Sequence, residues 1–280
     1  MIPANFNYIR PAYLDEALTA LAENEEAKIL AGGHSLIPAM KLRLATPRTI
    51  VDISRIADLG YIRHDGEQIV VGAMATHAAI ESSALLAGQC PLLPEVAATI
   101  GDAQVRNRGT IGGSLVHADP AADWPAAILA LEAQLEIAGP GGRRLVNAAD
   151  FFIEMMQSAV QPNEILVEVR LPVTMRSVAY VKFAQKASGF AIAGVAAVID
   201  APDKAVQIGV TGAATKAFRA TAAEEFLRGQ TLTPANIALA ADKADEGIET
   251  LNDIHASAEF RAHLTRLHTR RALELAASRG

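Results

Sequence analysis

The sequence predicts an α+β protein in two unequal units. Three observations carry this. Through residue 172, short β-branched apolar runs alternate with segments of helical period. After Pro172 three strand-like runs come in succession and helical stretches follow, an order typical of an α+β unit. The chain has 280 residues, 51% of them hydrophobic and 20% charged, enough for one large core or two ordinary ones. The expected boundary falls near residue 174, dividing the chain into 1–174 and 175–280.

Leu14, Ala17, Leu18 and Leu21 recur at helical spacing and predict an amphipathic helix over 14–23. "KILAG" predicts a short buried strand running into two glycines. "TIVDIS" (49–54) and "QIVVGA" (68–73) predict further strands. "THAAIESS" predicts a helix with Thr76 as its N-cap. Helices are expected over 92–100 and 121–132, with a loop, "GDAQVRNRGTIGGS", between them. "AQLEIAGPGGRRLV" predicts strand–turn–strand, and "EILVEVRLP" a strand closed by Pro172. Beyond the boundary, three strands are joined by polar turns, the clearest being "DAPDK" (200–204). Helical stretches are expected around 221–228 and 235–250. Phe260, Leu264, Leu267 and Leu275 mark the apolar face of a last helix.

Several function classes are excluded. A net charge of −6 argues against nucleic acid as the main partner. No apolar run reaches the length of a membrane span, and the first eighteen residues lack the pattern of a secretory signal. The single cysteine, Cys90, rules out an internal disulfide or a four-cysteine cluster site within the chain, and fits a reducing cytoplasm. Cys90 itself, beside a Pro-Leu-Leu-Pro run, reads as a packing residue. No HExxH pattern occurs among the seven histidines, and His263 and His268 are expected to face solvent. There is no G-x-S-x-G elbow, no G-x-G-x-x-G fingerprint and no Walker A loop.

Two glycine pairs remain, Ala31-Gly32-Gly33-His34-Ser35 and Thr110-Ile111-Gly112-Gly113-Ser114. Glycine lets backbone N–H groups approach an anion without a Cβ in the way, and successive N–H groups form an anion-binding concavity. Hydroxyl residues add donors. One pair alone signals only a turn; two in similar settings suit the two phosphates of a pyrophosphate. Arg106 and Arg108 read as a solvated loop beside the second pair. Asp123, before Trp124-Pro125, reads both as helix N-terminal charge and as an acceptor for a ribose or ribityl hydroxyl.

"AGGHSLIPAMKLRLATPRTIVDIS" and "RNRGTIGGSLVHADPAADWPAAILAL" resemble the two FAD-binding motifs of the flavoprotein subunit of molybdenum hydroxylases, in particular the medium subunit of the carbon monoxide dehydrogenase type. Xanthine dehydrogenase carries a similar module within a longer chain. "PANFNYIRPAYLDEAL", "NEILVEVRLP" and "KFAQKASGFAIAGVAAVI" extend the resemblance over nearly the whole chain. It implies the FAD-binding fold of the vanillyl-alcohol oxidase (PCMH) type in two subdomains, about 1–56 and 57–174. A C-terminal three-stranded antiparallel sheet with helices follows.

The resemblance also implies site residues. Leu30, Ala31, Gly32, Gly33, His34, Ser35, Leu36 and Ile37 would wrap the pyrophosphate and approach the flavin. Thr110, Ile111, Gly112, Gly113 and Ser114 would form the other half of the cradle. Asp123 would bind a hydroxyl of FAD, and Ile100 and Leu166 would pack near a ring system. Lys182 stands where relatives place a lysine near the flavin. Where relatives often carry an acidic residue, Ser188-Gly189-Phe190 stands here, leaving Phe190 as a neighbour of the ring.

The implied activity is electron relay in a cytoplasmic heterotrimer, often doubled. A large subunit with the molybdenum cofactor oxidises substrate, and a small subunit with [2Fe-2S] clusters passes electrons to FAD. An external acceptor (quinone, NAD or oxygen) takes them. No side chain of this chain need act as acid or base. The rival is a stand-alone FAD oxidase of the vanillyl-alcohol oxidase type with His34 linked to the flavin, though the C-terminal region lacks a recognisable substrate domain of that group. A flavin-free scaffold is the third reading.

Overall fold

The computed structural model describes residues 1–173, 177–199 and 205–280. The boundary expected near 174 and the turn at 200–204 lie outside the described residues. Among these residues no helix is long and apolar enough to cross a membrane.

The chain opens with a small parallel sheet. Strand Thr49–Asp52 lies between Asn7–Ile9 and Ala27–Leu30. All four of its residues are buried, as a central strand covered on both faces requires. Helix Leu14–Glu23 packs on this sheet through Ala17, Ala20 and Leu21, the face its periodicity predicts. Strand Asn7–Ile9 has only three residues, two of them exposed. Its apolar pattern is too short to read from the sequence.

A five-stranded antiparallel sheet follows, in the order Ile62–Asp65, Gln68–Gly72, Ile165–Pro172, Gln134–Gly139, Gly142–Asn147. The late strand Ile165–Pro172 enters the centre, where its apolar residues are buried and its one buried carboxylate, Glu168, pairs with Arg170 at 2.8 Å. Short helices cover one face, and Trp124, Phe151, Leu92, Leu93 and Leu115 fill the core between them and the sheet. Cys90 is buried in this core. Thr76 caps helix His77–Glu81, its hydroxyl accepting from the Ala79 N–H at 3.1 Å.

The loop expected over 101–114 instead contains helix Ala103–Arg108 and the start of helix Ile111–His117. Asp102 caps the first by accepting from the Val105 N–H, and Thr110 caps the second by accepting from the Gly113 N–H. Local capping outweighs the glycine and polar content that suggested a loop. The helix read at 121–132 is shorter, Trp124–Ala130, and that read at 235–250 forms only over Pro234–Ala241.

The C-terminal sheet contains the three expected antiparallel strands, Ser177–Ala184, Ala191–Ile199 and Val206–Thr211, plus a two-residue edge strand, Phe218–Arg219. All nine residues of Ala191–Ile199 are buried. Ala196 and Val198 join the core containing Trp124, whereas Val195, Ala197 and Ile199 face a second core with the last helices. The strand's two-residue alternation thus welds the C-terminal sheet onto the preceding domain.

Helix Ala258–Ala277 turns a different face inward from the one expected. Phe260 and Leu275 are exposed, while Arg261, Leu264, Thr265, His268, Thr269, Ala272, Leu273 and Ala276 are buried. Small residues allow close approach to the sheet, and the polar ones bond locally. Thr265 Oγ1 donates to the Arg261 carbonyl at 2.9 Å. His268, expected in solvent, is buried with Nδ1 2.9 Å from the Leu264 carbonyl.

Candidate cofactor site

Strand Ala27–Leu30 delivers the chain into the turn at 31–35, which continues into helix Leu36–Lys41. Gly33 has φ +78°, a left-handed conformation that favours glycine. The turn closes with the Ile37 N–H donating to the Gly33 carbonyl at 3.1 Å. Among the described residues, the N–H groups of Gly32, Gly33, His34 and Ser35 donate to no protein acceptor. Four neighbouring donors on one turn form the concavity that an anion requires. His34 is exposed, with Nδ1 3.2 Å from the Gly32 carbonyl.

The second glycine pair is built differently. Ile111 N–H donates to Ala75 O, Gly112 N–H to Ala73 O, Gly113 N–H to Thr110 Oγ1 and Ser114 N–H to Thr110 O. All four donors are engaged, so the expectation that both pairs present N–H groups alike is corrected. Residues 110–114 offer closeness instead. A Cβ on Gly112 would stand 2.5 Å from Ala73 Cβ, and one on Gly113 would stand 3.5 Å from Ala31 Cβ. The Ser114 hydroxyl has no protein partner among the described residues.

The two segments face each other across a cavity of about 390 Å³. Ala31, Gly32 and Thr110 line it, together with Thr76, Asn107, Arg108, Ser54, Ile56 and Met74. A Cβ on Gly32 would lie 2.2 Å from the Arg108 carbonyl oxygen, so the turns meet backbone to backbone. Arg106, read as a solvated arginine, is half-buried and pairs with Glu81 at 2.7 Å.

His77 lies behind this contact. Its Nδ1 accepts from Trp124 Nε1 at 3.1 Å. The indole N–H can only donate, so Nδ1 is bare and the ring proton sits on Nε2. Burial pushes the His77 pKa down to about 4, with His34 and Arg106 adding to the effect. The ring is neutral at pH 7.

A second cluster gathers at the 99–101 corner. Lys182 Nζ donates to Thr99 O at 2.8 Å and Gly189 O at 2.7 Å, and stands 3.0 Å from Asp123 Oδ1. The Tyr180 hydroxyl donates to the same carboxylate at 2.5 Å. Burial pushes the Asp123 carboxyl up, opposed by Lys182 and Tyr180. Burial and the Asp123 charge raise Tyr180 and keep it a donor. Ile100 is half-buried here and Phe190, next to Gly189, is exposed. Leu166 lies apart, inside the core of the five-stranded sheet. The sequence reading missed Tyr180, His77 and Trp124. For Tyr180 the signal was present, because Tyr180 and Lys182 are two apart on one strand and share a face.

A glycine turn with four unpartnered N–H groups, a facing small-residue helix and a cavity between them suit an extended cofactor with a pyrophosphate. The fold and site define a class: a dinucleotide-cofactor module of the flavoprotein kind, in which a small parallel sheet and a larger antiparallel one meet at a glycine turn, with a further domain docked behind.

Comparison with known proteins narrows the class. Residues 4–174 match the FAD-binding domain in molybdopterin dehydrogenase, and 178–276 match the CO dehydrogenase flavoprotein C-terminal domain. The chain is 38% identical to the carbon monoxide dehydrogenase medium chain of Hydrogenophaga pseudoflava, covering 100% of this chain and 99% of the relative. It is 34% identical to the nicotine 6-hydroxylase medium subunit of Paenarthrobacter nicotinovorans, covering 99% of each. A solved carbon monoxide dehydrogenase from Hydrogenophaga pseudoflava superposes with a TM-score of 0.96 at 40% identity, covering 100% of this chain and 99% of the other. The chain belongs to the family of FAD-binding medium subunits of molybdenum hydroxylases, and is an oxidoreductase subunit. The resemblance read from its motifs is thereby borne out.

Proposed function

We propose that this chain holds FAD between residues 31–35 and 110–114 and relays electrons within a heterotrimer. The [2Fe-2S] clusters of a small subunit supply the electrons, a large subunit with the molybdenum cofactor oxidises the substrate, and an external acceptor (quinone, NAD or oxygen) receives the electrons. The observation that carries this reading is the turn at 32–35, whose N–H groups donate to no protein acceptor among the described residues, with Gly32 on the wall of a cavity that Thr110 also lines. Bound FAD supplies the conversion between one-electron and two-electron transfer.

The chain's own residues bind and orient. The N–H groups of 32–35 hold the pyrophosphate, and the Ser114 hydroxyl adds a donor. Neutral His77 keeps a repelling or attracting charge away from the back of the cradle. Lys182 and Asp123 fix the C-terminal sheet against the 99–101 corner, bringing Ile100 and Phe190 toward the flavin; Leu166 acts from the sheet core. Residues 1–174, as two subdomains, form the binding unit, and 175–280 the flavoprotein's C-terminal domain. A cytoplasmic location fits the single cysteine. Relatives of similar identity act on substrates as different as carbon monoxide and nicotine, consistent with the substrate being chosen in the large subunit.

Purifying the chain and titrating its flavin by absorbance tests this. About one FAD per chain is expected, released on denaturation, with the Gly33→Val variant empty. A chain without flavin overturns the proposal. Flavin retained after denaturation favours the stand-alone oxidase with a covalent link at His34.

A further inference from the structure

We propose that His77 is a positioning residue for FAD: its imidazole, anchored by Trp124, holds the Gly109 backbone against Gly32 and so sets the spacing between the two halves of the cradle. The inference rests on the flavoprotein reading above and names the side chain that keeps that cradle closed.

The pairing that brings the halves together runs through residue 77. Thr76 and Thr110 form an antiparallel bridge. The His77 N–H donates to Gly109 O and the Ile111 N–H to Ala75 O, both at 3.0 Å. Backbone pairing fixes the path of residues 109–111, but not how closely Gly109 is pressed toward the first turn. Side chains decide that. A Cβ on Gly32 would stand 2.8 Å from Gly109 Cα, and a Cβ on Gly109 would stand 2.7 Å from His77 Nε2 and 2.8 Å from its Cδ2. Neither contact leaves room for a methyl group. Gly109 therefore touches the first turn and the imidazole edge at once.

The other edge of the ring is fixed as well. Trp124 Nε1 donates to Nδ1 at 3.1 Å, with both side chains buried. A buried indole N–H needs an acceptor, and His77 Nδ1 is the one the fold gives it. A leucine at 77 would fill the core position and leave that need unmet. Burial keeps the ring neutral, so it acts through shape and one hydrogen bond, not through charge. Trp124 follows Asp123, whose carboxylate takes Lys182 and the Tyr180 hydroxyl. A series of contacts thus runs from Gly32 through Gly109, His77 and Trp124 to Asp123, joining the cradle to the second cluster.

The test strips flavin from the full chain and measures the FAD dissociation constant for the wild type, H77L, H77N, W124F and H77L/W124F. Leucine and asparagine share one branched shape, so the acceptor is what separates them. H77L should weaken FAD binding about tenfold or more, the scale of one buried donor left unpaired. H77N should bring the constant back to within about threefold of the wild type, because its amide oxygen replaces Nδ1 as acceptor. W124F removes the donor and should also weaken binding, and adding H77L to it should cost nothing further. Trp124 is the only tryptophan in the chain, so its emission reports the bond directly. It should shift to the blue in H77L and stay in place in H77N. Wild-type affinity in H77L overturns the proposal. So do equal losses in H77L and H77N, or additive losses in the double variant. Where H77L fails to fold, W124F carries the test from the donor side, and wild-type affinity there overturns the proposal. A wild-type chain that takes up no FAD refutes the flavoprotein reading instead.

Discussion

Lys182 and Asp123 meet across the two halves of the protein, Nζ to Oδ1 at 3.0 Å, with both side chains buried. Lys182 lies on the first strand of the C-terminal sheet and Asp123 at the head of helix Trp124–Ala130. The three ammonium protons have three acceptors: Asp123 and the carbonyls of Thr99 and Gly189. A buried charge of either sign is tolerated only with this degree of compensation.

Removing one partner should therefore cost more than removing both. Lys182→Met leaves Asp123 buried with only the Tyr180 hydroxyl, a loss of about 3–5 kcal/mol. Asp123→Asn combined with Lys182→Met should recover part of that loss. Urea unfolding of the two single variants and the double variant measures the coupling. Additive losses would mean that the pair does not act as a unit.

The cradle glycines should separate cofactor retention from backbone cost. Gly32→Ala sets a methyl 2.2 Å from the Arg108 carbonyl oxygen, which no rotamer relieves, so the facing segments must part. FAD loss with a lowered melting temperature is expected. Gly66→Ala is the control. Gly66, unlike Gly32, has positive φ (+63°), and its added Cβ meets nothing within 4 Å. It should cost about 1–2 kcal/mol from the backbone alone and leave flavin content unchanged.

His77 gives the fold a pH dependence of defined sign. Its folded pKa is near 4 against 6.5 for the free side chain. Above pH 6.5 both states are neutral and the residue contributes no dependence. As pH falls from 6.5 toward 4 the unfolded chain takes up the proton and the folded chain resists, so stability drops by about 3 kcal/mol and then levels. His77→Asn keeps an acceptor for Trp124 but cannot titrate in this range. Unfolding free energies over pH 4–7 should fall less steeply in the variant. Parallel curves would show that His77 is not the source.

These contacts also show what the sequence revealed. The turn at 31–35 was legible, because Gly-Gly after a buried strand restricts the backbone to few conformations. The C-terminal strands were legible because Ala191–Ile199 is apolar without interruption. What hid from view was capping and pairing at a distance. Thr110 and Asp102 convert an apparent loop into two helices through single hydrogen bonds. The equal look of the glycine pairs concealed that one leaves its N–H groups open while the other engages them with Ala73, Ala75 and Thr110. The inward face of the last helix was misread because its buried stripe is carried by Arg261, Thr265, His268 and Thr269, residue types that signal solvent.

Arg261 tests that last point. It is buried at the start of helix Ala258–Ala277 and donates to the carbonyls of Ile192 at 2.8 Å and Gly212 at 2.5 Å. It also forks onto Asp253 at 2.8 and 2.7 Å. Burial tends to raise the Asp253 carboxyl, but Arg261 and the N–H groups of His255 and Ala256 hold it near 2. The two partners differ in exposure: the Asp253 side chain is 39% exposed and that of Arg261 only 4%. Arg261→Met therefore strands two buried carbonyls and should cost about 3–5 kcal/mol. Asp253→Asn keeps an acceptor at a solvated position and should cost under about 1 kcal/mol. Chemical denaturation with hydrogen exchange on the 178–276 region distinguishes them, since Arg261→Met should unprotect the strand Ala191–Ile199 and Asp253→Asn should not. Equal losses from the two substitutions would place the stabilisation in the ion pair rather than in the carbonyl contacts.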